Sequence, residues 1–63
     1  MRTIRISMAI CSHLSDAQHL MMAGCLDEAN KHINFVKLLT FNYDNIEVDE
    51  TITKLNEIWN SLK

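Results

Sequence analysis

The chain has 63 residues with no proline and a single glycine, so it carries little of the turn chemistry that a β-rich fold needs. Its length indicates one domain covering residues 1–63. A formal net charge of −2, from six basic and eight acidic side chains, is too small to bind a polyanion by counterion release, so nucleic acid is not an expected partner.

Apolar residues at helical spacing predict a first helix over residues 3–22. Its main stripe contains Ile10, Leu14, Ala17, Met21 and Cys25, and a neighbouring stripe contains Ile4, Met8 and Cys11. Thr3 and Ile4 would also suit a short strand, because β-branched residues favour strands. The state of residues 1–7 therefore stays open between helix, strand and disordered arm.

The glycine at position 24 directly follows this pattern, where the end of a helix favours a residue that tolerates the left-handed conformation. A second helix is predicted over residues 26–41, with Asp27 and Glu28 placing negative charge in its first turn. The polar residues 42–45 end it, because Asn and Asp side chains compete for backbone hydrogen bonds.

A third, shorter helix is predicted over residues 49–62, with Asp49 as its N-cap. Its apolar stripe contains Val48, Ile52, Leu55, Ile58 or Trp59, and Leu62. The expected fold class is all-α: an antiparallel helical hairpin plus the third helix, forming a small bundle that self-association completes.

Residues 24–29 (GCLDEA) resemble the turn and second-helix start of a tetratricopeptide-type helix-turn-helix. Ala17 and Leu20 occupy the small and large positions of the first helix of that motif. The chain departs from the pattern at Val36, where a small residue is usual, and at Phe41, where proline is expected. The resemblance implies the hairpin geometry and no peptide-binding function, because such repeats need several stacked units.

Several large apolar residues fall outside the main helical stripes. An apolar patch of that kind usually marks an interface, so we expect a homo-oligomer, most simply a two-fold dimer. The residues predicted at this interface are Met22, Phe35, Leu38 and Trp59.

Chemical sites are not indicated by the spacing of the reactive side chains. His13 and His19 would lie roughly opposite each other on one helix, and Glu28 with His32 supplies only two ligands, so no metal or other cofactor is expected. Cys11 and Cys25 are interpreted as reduced, buried residues. Without a catalytic motif or a phosphate-binding loop, the chain is not expected to be an enzyme.

We therefore hypothesise a small, self-associating, intracellular protein that binds and occupies a partner protein, in the manner of a bacterial or phage antitoxin or inhibitor. The short apolar run at the N-terminus, broken by Ser7, favours a cytoplasmic location over export, and no span long enough for a membrane is visible. The alternative is an oligomer that sequesters a small anionic molecule such as a signalling nucleotide. Its predicted ligand-binding residues are Arg2, Arg5, Lys37 and Tyr43.

Overall fold

In a computed structural model, which describes residues 2–62, the chain forms three helices and a small two-stranded sheet. In chain order the elements are β1 (Thr3–Arg5), α1 (Ile6–Met22), α2 (Leu26–Asn42), β2 (Asp49–Thr51) and α3 (Ile52–Ser61). Helices α1 and α2 pack together as a hairpin. The prediction of a mostly helical protein built on a helical hairpin is confirmed, and the structure adds a small two-stranded sheet that the all-α prediction did not include.

The sheet pairs the first strand with the segment that precedes the third helix. Strands β1 and β2 are antiparallel, with Ile4 opposite Glu50 at the centre of the register. The ladder continues where the Ile6 amide donates to the Val48 carbonyl, 2.9 Å away. Residues 3–5 are thus a strand, the first helix begins at Ile6 rather than at residue 3, and the β-branched residues at this end explain the difference.

The hairpin turn is built on the single glycine. Gly24 has a φ of 83°, in the left-handed region that other residues rarely adopt. Its amide donates to the Met21 carbonyl at 3.1 Å, and the Cys25 amide donates to the Leu20 carbonyl at 2.8 Å. These two bonds form a Schellman motif, so the predicted role of Gly24 at the end of the first helix is confirmed.

The third helix starts at a later residue than the sequence pattern predicts. Its N-cap is Thr51, whose hydroxyl accepts a hydrogen bond from the Lys54 amide at 3.2 Å. Asp49, the predicted N-cap, is instead the first residue of β2 and lies opposite Arg5. Its acidic side chain is therefore used in an ion pair across the sheet and not at the helix end.

The core lies where α3 closes over the open end of the hairpin. It consists of Ile6, Ala9, Ile10, Phe35, Leu39 and Leu55. Nearer the turn, Ala17 and Ala29 are buried as well, and such small side chains let two helices approach closely. Leu14 and Met21 were predicted in the main stripe, but they are 48% and 51% exposed because they lie at the edge of the face that α2 covers.

Candidate functional site

The four residues predicted at an interface occupy different environments. Phe35 is only 1% exposed and lies in the centre of the core, so the expectation that it falls outside the core is wrong. Trp59 is half-buried against that core. Leu38 is also half-buried, whereas Met22 is 80% exposed.

One side of α1 exposes only uncharged residues, and we call it the α1 outer face. Its seven exposed residues are Met8, Cys11, Leu14, Ser15, Gln18, Met21 and Met22. Within it, residues 8, 11, 15, 18 and 22 follow the alternating three- and four-residue spacing of a coiled-coil seam, although Ser15 and Gln18 are polar where such a seam is usually apolar. The one formally charged residue of α1, Asp16, lies on another side of the helix.

A second exposed apolar surface lies on α2, and we call it the Phe41 groove. It has a volume of about 490 Å³ and is lined by Asn34, Lys37, Leu38, Phe41 and Leu62. The Phe41 side chain is 88% exposed, and Lys37 supplies the charge of the lining. Phe41 was not predicted as a site residue. Its exposure could have been expected from the sequence, because it shares one side of the helix with the polar residues Asn34 and Lys37.

A cluster of rings joins the three helices. The Nδ1 atoms of His13 on α1 and His32 on α2 are 2.7 Å apart. The ring of Phe35 packs edge-on against His13 at a centroid distance of 4.5 Å, and Trp59 of α3 lies 4.5 Å from His32. The Lys31 ammonium sits 4.2 Å above the Trp59 ring in a cation–π contact. We call the two histidines, Phe35 and Trp59 the ring cluster.

The surroundings of His13 favour its neutral form. Burial lowers the pKa of His13 below its ordinary value of 6.5, and the neighbouring His32 lowers this pKa further, while Asp16 opposes the shift. At 2.7 Å only one proton fits between the two Nδ1 atoms. A pocket of about 420 Å³ opens beside the rings and is lined by both histidines, Phe35 and Trp59.

Asp16 adds a carboxylate to the histidine pair. The potential ligand atoms of His13, Asp16 and His32 all lie within 4.8 Å of one another. The spacing of residues along a single helix does not reveal this grouping, because its members lie on two helices. The signal was present in the hairpin, since Asp16 precedes Gly24 by eight residues and His32 follows it by eight.

The residues predicted to hold an anionic ligand are dispersed or already paired. The Arg5 guanidinium contacts Glu47 at 2.7 Å and Asp49 at 3.9 Å. Tyr43 donates its hydroxyl hydrogen to Glu50. Within residues 2–62, no hydrogen bond or ion pair joins any two of the four predicted residues, which are Arg2, Arg5, Lys37 and Tyr43.

The prediction that both cysteines are buried is wrong. Cys11 and Cys25 are both free and exposed. The Cys11 side chain lies on the α1 outer face, and Cys25 is the N-cap residue of α2. Both thiols are therefore accessible to solution reagents.

Comparison of the chain with models of protein families, with curated proteins and with solved structures found no match in any of the three searches. Among residues 2–62, no helix combines the length and the apolar character needed to cross a bilayer.

Proposed function

We propose that this protein forms a two-fold dimer through the α1 outer face, and that the dimer binds and occupies a partner protein through the Phe41 groove. Its role would be that of an intracellular, non-enzymatic adaptor or inhibitor. The single observation that carries the proposal is the exposure of large apolar side chains on these two surfaces, with Met8, Leu14, Met21 and Met22 on the first and Phe41 on the second, in a chain whose own core is already closed.

The charge pattern of the α1 outer face supports a second copy of this chain as its occupant. In a two-fold interface the same surface of both subunits is in contact, so a charged residue near the axis lies close to the identical charge of the other subunit and is repelled by it. The α1 outer face has no formally charged side chain, and its seam spacing matches that of paired helices. Met8 and Met22 at the two ends of the seam provide flexible apolar side chains that pack well at such contacts.

The Phe41 groove supports a different occupant. An exposed aromatic side chain beside a shallow apolar groove is typical of an interface anchor. Lys37 at its edge favours a partner segment that offers a carboxylate next to an apolar side chain. Leu38, one of the residues predicted at an interface, lines this groove.

The dimer is tested by native mass spectrometry and light scattering of purified protein. Met22→Lys should shift the population to monomer, because it places a charged side chain of each chain among the apolar side chains of the contact, opposite either position 22 or Met8 of the second copy. Ile46→Lys, at a partly exposed position in the loop after α2, is the matched control and should leave the dimer unchanged. A wild-type protein that is monomeric at high micromolar concentration would refute the dimer.

Cysteine crosslinking then tests the contact itself. In a parallel seam, Cys11 would face Cys11 and mild oxidation of the Cys25→Ser variant should give a covalent dimer. In an antiparallel seam the centre is Ser15, and Ser15→Cys in a Cys11→Ser, Cys25→Ser background should crosslink instead. Failure of both variants to crosslink would reject the α1 outer face as the contact.

The partner is identified by a photo-reactive amino acid placed at position 41, followed by reconstitution with the purified crosslinked protein. Phe41→Ala should weaken that binding by at least about tenfold, the loss typical of an anchor residue. Ile46→Ala removes a comparable apolar side chain elsewhere and should bind normally. Equal affinity of both variants would contradict the role of the groove.

A further inference from the structure

The grouping of His13, Asp16 and His32 lies outside both proposed interfaces, and neither dimer formation nor partner binding uses it. We infer that these three side chains form a binding site for a divalent transition-metal ion, with zinc as the ion that the ligand set suits. Two imidazole nitrogens and one carboxylate oxygen are a common three-ligand set for zinc.

The helical hairpin places the three ligands without any long-range rearrangement. His13 and Asp16 are three residues apart on α1, so they share one side of that helix. His32 approaches from α2, and the three ligand atoms already lie within 4.8 Å of one another. The site therefore joins the two arms of the hairpin through groups that all come from one chain.

The distances are close to those that zinc needs. Two nitrogens bound tetrahedrally at about 2.0–2.1 Å from zinc are roughly 3.3 Å apart. The Nδ1 atoms of His13 and His32 are 2.7 Å apart, so to bind the ion they must separate by about half an ångström and the two rings must turn until both lone pairs point at it, while the shared proton is released. The Asp16 side chain is exposed, and its carboxylate would have to move closer to the two nitrogens to bind the same ion.

The surroundings hold the two imidazoles and leave room for a further ligand. Phe35 and Trp59 pack against the imidazole rings, which limits the side-chain freedom that ion binding would otherwise have to remove. The adjoining pocket of about 420 Å³ can admit a water molecule or a small anion to a fourth position. Three protein ligands leave one position of a four-coordinate zinc site open.

Metal binding is tested on the purified full chain with Zn²⁺ by calorimetry and with Co²⁺ by absorption spectroscopy. We expect one ion per chain and a cobalt spectrum without thiolate charge transfer. Asp16→Asn and His32→Gln should each weaken binding by at least about 100-fold, since changes to outer-shell groups alone cost about 10–100-fold. Asp16 is exposed, so the Asp16→Asn variant should keep its helix content by circular dichroism.

Two controls make the test specific. His19→Ala removes an exposed histidine of the same helix, and the Cys11→Ser, Cys25→Ser double variant removes both exposed thiols. Both proteins should bind Zn²⁺ as the wild type does. The inference is overturned if either control loses binding, if the wild type shows no saturable binding, or if one ion is shared between two chains. The Met22→Lys protein should bind one ion per chain, which separates this test from that of the dimer.

Discussion

The Nδ1 atoms of His13 and His32 lie 2.7 Å apart although 19 positions separate the two residues in the chain. This contact links α1 to α2 at the level where Trp59 of α3 covers both rings. Because an imidazole can donate or accept through Nδ1, the contact holds when one ring carries the Nδ1 proton and the other does not. The histidine pair therefore ties three helices together through a group that can also exchange a proton for a metal ion.

Replacing Gly24 should weaken the protein through backbone conformation alone. Nothing lies within 4 Å of a Cβ placed at this position, but the φ of 83° is unfavourable for an L-residue. Gly24→Ala should lower the free energy of unfolding by about 1–2 kcal/mol, measured by urea denaturation. Gly24→Asn should lose less, because asparagine tolerates this conformation better than alanine; equal losses would contradict the conformational explanation.

Truncation of the two phenylalanines of α2 should affect the stability of the protein to very different degrees. Phe35 is 1% exposed and Phe41 is 88% exposed. Phe35→Ala should cost about 3–5 kcal/mol, which is as much as the core of a chain this small usually supplies, so we expect loss of the folded state by circular dichroism. Phe41→Ala should change the free energy of unfolding by no more than about 0.5 kcal/mol.

A milder variant, Phe35→Leu, keeps the Phe35 comparison measurable if the alanine variant does not fold. It should retain helix content with a lowered thermal midpoint. A Phe35→Leu midpoint equal to that of the wild type would contradict the central place of this ring in the core.

The contribution of the α3 N-cap to the free energy of unfolding should be measurable by substituting Thr51. Its hydroxyl accepts the Lys54 amide hydrogen at 3.2 Å, which satisfies one of the free donors of the first turn. Thr51→Ala should therefore cost about 1 kcal/mol of unfolding free energy. Thr51→Ser keeps the hydroxyl acceptor and should retain most of this stabilisation. If serine and alanine behave alike in urea unfolding, the cap is not the cause.

Acid should weaken the protein through Glu50. The hydrogen bond from Tyr43 lowers the pKa of this carboxyl below its ordinary value of 4.5, and a hydrogen bond with Lys54 acts in the same direction. A carboxyl with a lowered pKa in the folded state stabilises the fold above about pH 4.5, and that contribution is lost as the pH falls through the lower folded value. Urea midpoints should therefore fall on acidification from pH 5 toward pH 3.

Tyr43→Phe is the matched variant for the pH experiment. The same bond raises the pKa of Tyr43 above its ordinary value of 10.0, so its contribution persists through neutral pH. Without the hydroxyl, the stability of the variant should depend less steeply on pH below 4.5. If the stability of Tyr43→Phe falls as steeply with pH as that of the wild type, the acid sensitivity comes from other carboxylates.

Much of the fold followed from local patterns in the sequence. The Gly24 turn and the second helix were predicted within one residue of their observed bounds, because both depend on neighbouring residues along the chain. The short strands were less predictable. A three-residue strand is stable only against its partner, and β1 and β2 are separated along the chain by residues 6–48.

The candidate sites depended still more on packing. Phe35 is buried and Phe41 is exposed, but the two residues are equally apolar, so residue type alone could not predict this difference. Likewise, His13 and His32 were judged by their spacing along single helices. Their proximity arises only when the two arms of the hairpin lie side by side.

The sequence by itself determined that the chain is small, weakly charged and mostly helical, with a turn at its single glycine. These properties come from composition and from interactions within a few residues, which are encoded locally. Only the tertiary structure decided which apolar residues are covered and which reactive side chains meet. Burial and contact depend on how separate helices pack, and the ring cluster with Asp16 is the product of that packing.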